Sequence, residues 1–360
     1  MKIDILTNLE QIDHIKKDWD SIYEKDENAS FFLSWPWVRS WCEVTPFRWI
    51  VLTAQKESST SPVAFLPLGF RTHKVNRFFS STDFVSSGSA WADHSGFVCI
   101  PDESDAALSA FALFLKKKIR WDSLSLNEIS DPRFVFFTNL FQSRNFQIKT
   151  LKQTECPYIE LPETWDQYCL ETISKRAHKD INYYVRRIKR DIDFRSTSIT
   201  KDNLKDSIEI LLSLYEKRRQ PQYRLMVDRF REILTRSFQN NFLWLNVLWD
   251  GVKPIAACSA FLDRKNSTFV GCNTGFDENY SKLRPGTVIF SESVKYAIEN
   301  GFKYYDFGRG TEEYKYTFGA KDRFNSNTQI IKNTPASIMK NAFIKMHFIL
   351  KKHISKQKEL

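Results

Sequence analysis

Glycine is scarce, at 11 of 360 residues, and this leaves no room for a collagen-like repeat or a long flexible linker. The chain is 42% apolar and 15% aromatic, which excludes a disordered polymer and leaves ample material for a core. No uninterrupted apolar run reaches the length of a membrane-spanning helix. Six cysteines (Cys42, Cys99, Cys156, Cys169, Cys258, Cys272) make no C-x-x-C pair and no secreted-domain spacing. Four of them sit in apolar surroundings, so buried free thiols in a reducing compartment are expected. Six histidines show no H-x-x-x-H spacing and no grouping with cysteine, so no metal site is expected. Gly308-Arg309-Gly310 carries Glu313 where a dinucleotide fingerprint needs its third glycine, which argues against a Rossmann cofactor. The first ten residues contain acids where a signal peptide would be apolar. The expected location is cytoplasmic.

What is present is a basic chain, with 53 Lys and Arg against 43 Asp and Glu and a net charge of +10. Residues 332–360 hold seven lysines and one acid, so they carry +6 and leave +4 for the rest. The protein is therefore an ordinary body with a basic tail rather than a uniformly basic nucleic-acid binder. A second local excess lies at 175–195, with eight basic residues against Asp180, Asp191 and Asp193.

Length alone predicts two domains, or one used twice. Apolar periodicity predicts helices over 9–23, 35–44, 105–119 and 134–142, with strands at 48–54, 63–70, 123–126 and within 148–161. The second half repeats the plan. A long helix is expected over 164–190, with Ile173, Ala177, Ile181, Tyr184 and Ile188 as its stripe, then a short strand at 193–196. Helices at 204–218 and 227–238 are separated by Pro221. A hairpin follows through Asp250-Gly251, a strong short turn signal. Further strands are expected at 268–273 and 304–307, around a helix that opens at Pro285-Gly286 and closes at Gly301. Phe47-Arg48-Trp49 … Pro62-Val63-Ala64 parallels Phe242-Leu243-Trp244 … Pro254-Ile255-Ala256. The echo suggests one α/β unit used twice.

Function-capable groups concentrate at 268–319. Lys282-Leu283-Arg284-Pro285-Gly286-Thr287 starts a helix whose unpaired N–H groups and flanking cations suit a phosphate. From the local sequence alone an ordinary proline-glycine helix start with solvated cations is the favoured reading, because Pro-Gly before a helix is common. Asp306-Phe307-Gly308-Arg309-Gly310-Thr311-Glu312-Glu313-Tyr314-Lys315 adds an acid at a strand end, a glycine loop, paired carboxylates and a lysine. A surface loop holding an Asp306–Arg309 ion pair is the plainer alternative.

Taken together, Arg284-Pro285-Gly286, Asp306-Phe307-Gly308-Arg309-Gly310, Tyr314-Lys315 and Phe318-Gly319 resemble the GNAT-superfamily acyltransferases of the CelD-like type. That family is associated with cellulose and exopolysaccharide loci and is related to the Fem aminoacyltransferases. The resemblance covers about 160–320 well; the first half matches through Phe32-Leu33-Ser34-Trp35 and Trp41. It implies an α/β (α+β) fold of two tandem GNAT-like units, each a mixed, mostly antiparallel sheet flanked by helices. The expected division is 1–160, 161–331 and a basic amphipathic C-terminal helix at 332–360. The implied reaction moves an acyl group, acetyl in the simplest case, from acyl-CoA to an amine such as an amino sugar or envelope-polysaccharide precursor. Acyl-CoA is a cosubstrate, with no cofactor held permanently. Asn273, Lys282, Arg284, Gly286 and Thr287 would bind it; Asp306, Glu312 or Glu313 would take the amine's proton, with Arg309 and Lys315 beside them and Lys315 or a loop N–H facing the oxyanion. Thr311 stands where family members carry an acid and Glu313 where they carry proline, so the base is shifted or supplied by Glu312 and Glu313.

Alternatives are a Fem-like aminoacyltransferase using charged tRNA and a non-catalytic binding module. The cations at 175–190 could meet tRNA phosphates or an anionic glycan, though a solvated helix face is favoured. The tail's stripe (Met339, Ala342, Phe343, Met346, Ile349, Leu350) would pack on the body or lie on an anionic membrane surface, which would place the enzyme peripherally at the inner face.

Overall fold

A computed structural model describes residues 1–342 apart from 75–76, 78–79, 89–90, 218–223, 336 and 340–341. Pro221 and the tail residues from Phe343 onward lie outside the described residues. Two compact units emerge. One comprises residues 1–38, 46–153 and the described residues from 325; the other comprises 39–45 and 154–324.

The first unit opens with β1 (Lys2–Leu6), α1 (Leu9–His14) and α2 (Lys16–Lys25). The helix expected over 9–23 thus breaks at Ile15. Next come α3 (Trp35–Val44), the hairpin β2 (Arg48–Gln55) and β3 (Pro62–Lys74), β4 (Ser80–Ser86) and β5 (Val98–Cys99). The unit continues with α4 (Ser104–Lys117), β6 (Ser123–Ile129), α5 (Phe134–Asn139) and β7 (Phe146–Thr150). After β8 (Thr154–Glu155), the second unit is built from β9 (Tyr158–Glu160), the single turn α6 (Trp165–Gln167), α7 (Lys175–Asp191), β10 (Phe194–Ser198), α8 (Leu204–Glu216) and α9 (Arg224–Gln239). It is completed by β11 (Leu243–Asp250), β12 (Lys253–Asp263), β13 (Thr268–Phe276), α10 (Pro285–Glu299), β14 (Tyr304–Asp306) and α11 (Glu313–Thr317). The chain then returns to the first sheet as β15 (Phe324–Lys332).

The first sheet runs β1-β2-β3-β4-β6-β15-β7 and the second β10-β11-β12-β13-β14-β9. Their pairings match step for step. Three antiparallel pairs (β1/β2, β2/β3, β3/β4) precede a parallel pair, β4/β6, in the first. The second has β10/β11, β11/β12 and β12/β13 antiparallel, then β13/β14 parallel. A helix crosses over between the parallel strands each time, α4 in one sheet and α10 in the other. Each sheet then adds an antiparallel strand from elsewhere in the chain: β15 beside β6, and β9 beside β14. The expected tandem α/β architecture is therefore present, but β15 belongs to the first sheet rather than ending the second unit.

The helix expected over 164–190 is interrupted. A π turn at Tyr168–Thr172 ends at Ile173, and Ser174 restarts the chain as N-cap, its Oγ accepting the Ala177 N–H at 3.1 Å. Beyond the break, Ala177, Ile181 and Ile188 enter the second core with Trp244, Leu248, Ala256 and Val294. Helix α10 has the bounds its punctuation predicts. Gly301, at φ +76°, sends its N–H to Ile298 O while Phe302 N–H reaches Ala297 O, a Schellman end.

Glu292 on α10 accepts hydrogen bonds from Ser196 Oγ (2.7 Å) and Asn246 Nδ2 (2.8 Å). Burial pushes its carboxyl above the ordinary value of 4.5, against those hydrogen bonds and nearby Lys189. A folded value raised above the unfolded one gives stability that is full below pH 4.5 and lost as pH climbs through the raised value. Glu292→Gln keeps an acceptor for both donors. It is expected to melt above wild type at pH 7, with the gap closing in acid; an equal gap at every pH would refute this.

Candidate functional site

Parallel strands β13 and β14 pair only through residues 268–270 with 304–306, while β13 runs on to Phe276. The pairing with β12 is also irregular between Cys258 and Ala260, where β13 carries an extra residue. Where the strands part, a cavity of about 940 Å³ opens. Its walls come from alternate residues of β13 (Cys272, Thr274, Phe276), from the start of α10 (Arg284 to Thr287, Phe290) and from the turn before it (Ser281, Lys282). Tyr184 and Arg187 of α7, Tyr215 of α8, and Phe307, Arg309, Glu312, Tyr314, Lys315 and Phe318 close it.

Five cations (Arg187, Lys282, Arg284, Arg309, Lys315) meet one carboxylate, Glu312, in this lining. The start of α10 explains part of the arrangement. Proline disfavours helical backbone in the residue before it, and Arg284 adopts the left-handed region at φ +50°, ψ +51°. From that position its carbonyl accepts the Thr287 N–H at 2.9 Å and the Val288 N–H at 3.3 Å. Pro285 has no N–H, so the Gly286 N–H is the open donor of the first turn. A Cβ built on Gly286 would lie 3.5 Å from the Phe276 ring. The position tolerates a methyl group, and a larger side chain would enter the cavity. Arg187 links α7 to this mouth by donating to Lys282 O at 3.2 Å.

The glycine loop is held from beneath. Gly308 and Gly310 take φ of +65° and +104°, which residues with a Cβ rarely adopt. Asp306, 2% exposed, accepts the Gly308 N–H at 2.8 Å through Oδ1 and the Arg323 guanidinium through Oδ2. Lys315 is equally buried; its Nζ donates to Arg309 O (2.8 Å) and Gly310 O (2.9 Å) and pairs with Glu312 Oε2 at 2.9 Å. Glu312 itself is 57% exposed.

Of the residues singled out from sequence, Lys282, Arg284, Gly286, Thr287, Arg309, Glu312 and Lys315 line one cavity. Asn273, Asp306 and Glu313 do not. Asn273 falls between two lining residues and so faces the opposite side of β13, where it is buried with its Nδ2 unpartnered among the described residues. Asp306 has both oxygens engaged in holding the loop, which removes it as a free base. The Thr287 N–H is used within the helix. Cys272, expected buried, is half-exposed to the cavity; the other five cysteines are buried, and burial pushes the Cys99 and Cys258 thiols up to about 12. Sequence reading missed Arg187 as a lining residue, and Tyr215, Phe276 and Phe290 with it. The hydrophilic side of α7 next to Tyr184 was the available signal for Arg187.

The corresponding place in the first unit is different. Its crossover helix α4 is entered through the turn Pro101-Asp102-Glu103 and continues with Ser104-Asp105, so three carboxylates already answer the helix's positive end. Among the described residues, no group of histidine, cysteine and acidic side chains could hold a metal ion, and no helix is long and apolar enough to cross a membrane.

Residues 175–316 match the Acetyltransferase (GNAT) domain family. A comparison with curated proteins finds no match. Among solved structures, the chain is similar to FemX, with a TM-score of 0.63 at 12% identity over 94% of this chain and 99% of that one. It is also similar to L-PGS from Bacillus licheniformis (0.55, 8% identity, 92% and 95% covered). A tandem GNAT protein from the clavulanic acid biosynthesis pathway gives 0.54 at 8% identity, with 93% and 99% covered. These similarities concern the fold, and the last agrees with the duplicated sheet pattern.

Proposed function

We propose that the second unit is an N-acyltransferase that moves an acyl group, acetyl in the simplest case, from acyl-CoA to an amine of an amino sugar or envelope-polysaccharide precursor. The observation that carries this reading is the open Gly286 N–H at the start of α10, set among Lys282, Arg284 and Arg187 where β13 and β14 part. Those groups suit the donor's diphosphate. Its pantetheine arm would follow the exposed side of β13 past Thr274 and Cys272.

The amine nitrogen attacks the thioester carbonyl carbon; a C–N bond forms, the C–S bond breaks, and the thiolate leaves with the electron pair. Glu312 is the one carboxylate in the lining and takes the amine's proton, while the Tyr314 hydroxyl supplies one to the departing sulfur. Direct attack needs no enzyme nucleophile. An acyl-CoA donor places the reaction in the cytoplasm.

The reading is tested by calorimetric titration with acetyl-CoA and longer acyl-CoAs. Saturable binding is expected, weakened at least about tenfold by Gly286→Trp, whose indole would fill the mouth. Failure of every acyl-CoA to bind the folded wild-type chain would sink this reading. Attention would then turn to charged tRNA, the donor in the Fem-like alternative, or to a module without turnover.

A further inference from the structure

Helix α7 turns one face to its core and one edge to the cavity, and its remaining face is basic. Lys175, Lys179 and Arg186 are exposed, and none has a carboxylate partner among the described residues. At 3.6 residues per turn the three fall within roughly 40° of each other around the axis and span about 16 Å along it. The helix's acids lie elsewhere. Asp180 and Asp191 sit more than about 100° around from the centre of this ridge, where they pair with Arg176 and with Arg187 and Arg190. The ridge therefore presents uncompensated positive charge in a straight row. An aromatic ring accompanies it, Tyr183, 47% exposed on the flank; Leu170, 78% exposed, stands beside exposed Glu171 in the turn before the helix.

We infer that this ridge docks the protein on an anionic phospholipid surface. Headgroup phosphates complement the cations. The interface also receives Tyr183 and Leu170, an aromatic ring and a purely apolar side chain for which a nucleic acid backbone offers no counterpart. Tyr184 and Arg187 of the same helix, which line the cavity, lie roughly 100° to 160° around the axis from the centre of the ridge, so the docked face and the cavity edge are separate. The inference goes beyond the acyl-transfer reading and is read out with no donor present.

The experiment is co-sedimentation of the full chain with phosphatidylcholine vesicles, with and without phosphatidylglycerol. Wild type is expected to bind the anionic vesicles in low salt and to lose most binding in high salt. The exposed triple variant Lys175→Gln/Lys179→Gln/Arg186→Gln, with an unchanged melting temperature, is expected to bind on the order of a hundredfold more weakly, at roughly fivefold per cation near such a surface. Leu170→Ala is expected to weaken the binding that persists in high salt. Wild type and the triple variant carry the same basic tail, so their difference reports α7 alone. Equal vesicle binding by the two would overturn the inference. So would no binding by wild type, or a variant that loses RNA binding while keeping its vesicle binding.

Discussion

Replacing Arg133 by alanine should destabilise the first unit by about 3–5 kcal/mol, because it strands two buried carboxylates. Asp26 and Asp131 have side chains 0% and 1% exposed, and the Arg133 guanidinium contacts both, Asp26 at 3.0 Å and Asp131 at 2.7 Å. The ion triad ties distant pieces of chain together: Asp26 also accepts the Cys99 N–H at 2.8 Å, and Arg133 lies 4.3 Å over the Phe97 ring. Burial already pushes the Asp131 carboxyl up, outweighing its hydrogen bonds from Arg133. Without that cation the Asp131 carboxyl loses the contacts that hold it down and should titrate higher still. A raised folded value means that stability is recovered below the unfolded value and lost as pH rises. The deficit of Arg133→Ala should therefore shrink toward acid. Urea denaturation across pH provides the measurement. A cost under about 1 kcal/mol at neutral pH, or one that does not change with pH, would refute the account. Arg133→Met combined with Asp26→Asn and Asp131→Asn should be much milder, since no unpaired charge stays buried.

The parts of the fold that local chemistry punctuates were legible in advance. Proline at N1 and glycine at C′ bracket α10, and Asp250-Gly251 marks the β11/β12 hairpin, with Gly251 at φ +54°. The repeated aromatic hairpin pointed to duplication, and the sheet pattern bears out the tandem architecture. The break before α7 was hidden because the apolar stripe continues through Ile173; only Ser174, three residues before Ala177, marks a new helix start. The return of β15 to the first sheet was not readable either. Pairing Ile330 with Leu124 and with Ile148 depends on contacts 206 and 182 residues apart, which no local pattern encodes. At the site, the cations around the start of α10 were found because helix-end chemistry is local. The roles of Asp306 and Lys315 were not, because sequence shows an acid and a base without showing what they already bind.

Lys315 gives the sharpest test of that difference. Sequence chemistry offers it as a donor to the oxyanion, whereas its Nζ is taken up by Arg309 O, Gly310 O and Glu312. In the proposed reaction its role is then positioning: it would fix the left-handed glycine loop and set the proposed base beside the acyl group. Lys315→Met preserves volume and removes every one of these bonds. Charge-assisted hydrogen bonds of this kind contribute about 1.5–3 kcal/mol each, so the loop should loosen while the distant cores hold. The expected result is a fall in kcat of roughly 10²- to 10³-fold, the scale of a misplaced catalytic group. Acyl-CoA affinity should stay within about threefold, because the α10 mouth is untouched. Hydrogen exchange separates the two roles. The Gly308 N–H is held by Asp306 and the Gly310 N–H by Glu155 O, and both should exchange faster in the variant if Lys315 is what keeps the loop closed. A variant equally inactive but with unchanged exchange at these two amides would return Lys315 to direct contact with the substrate. Faster exchange with near-normal turnover would instead show that the loop's geometry is not what the reaction depends on, and would move the proton acceptor away from Glu312.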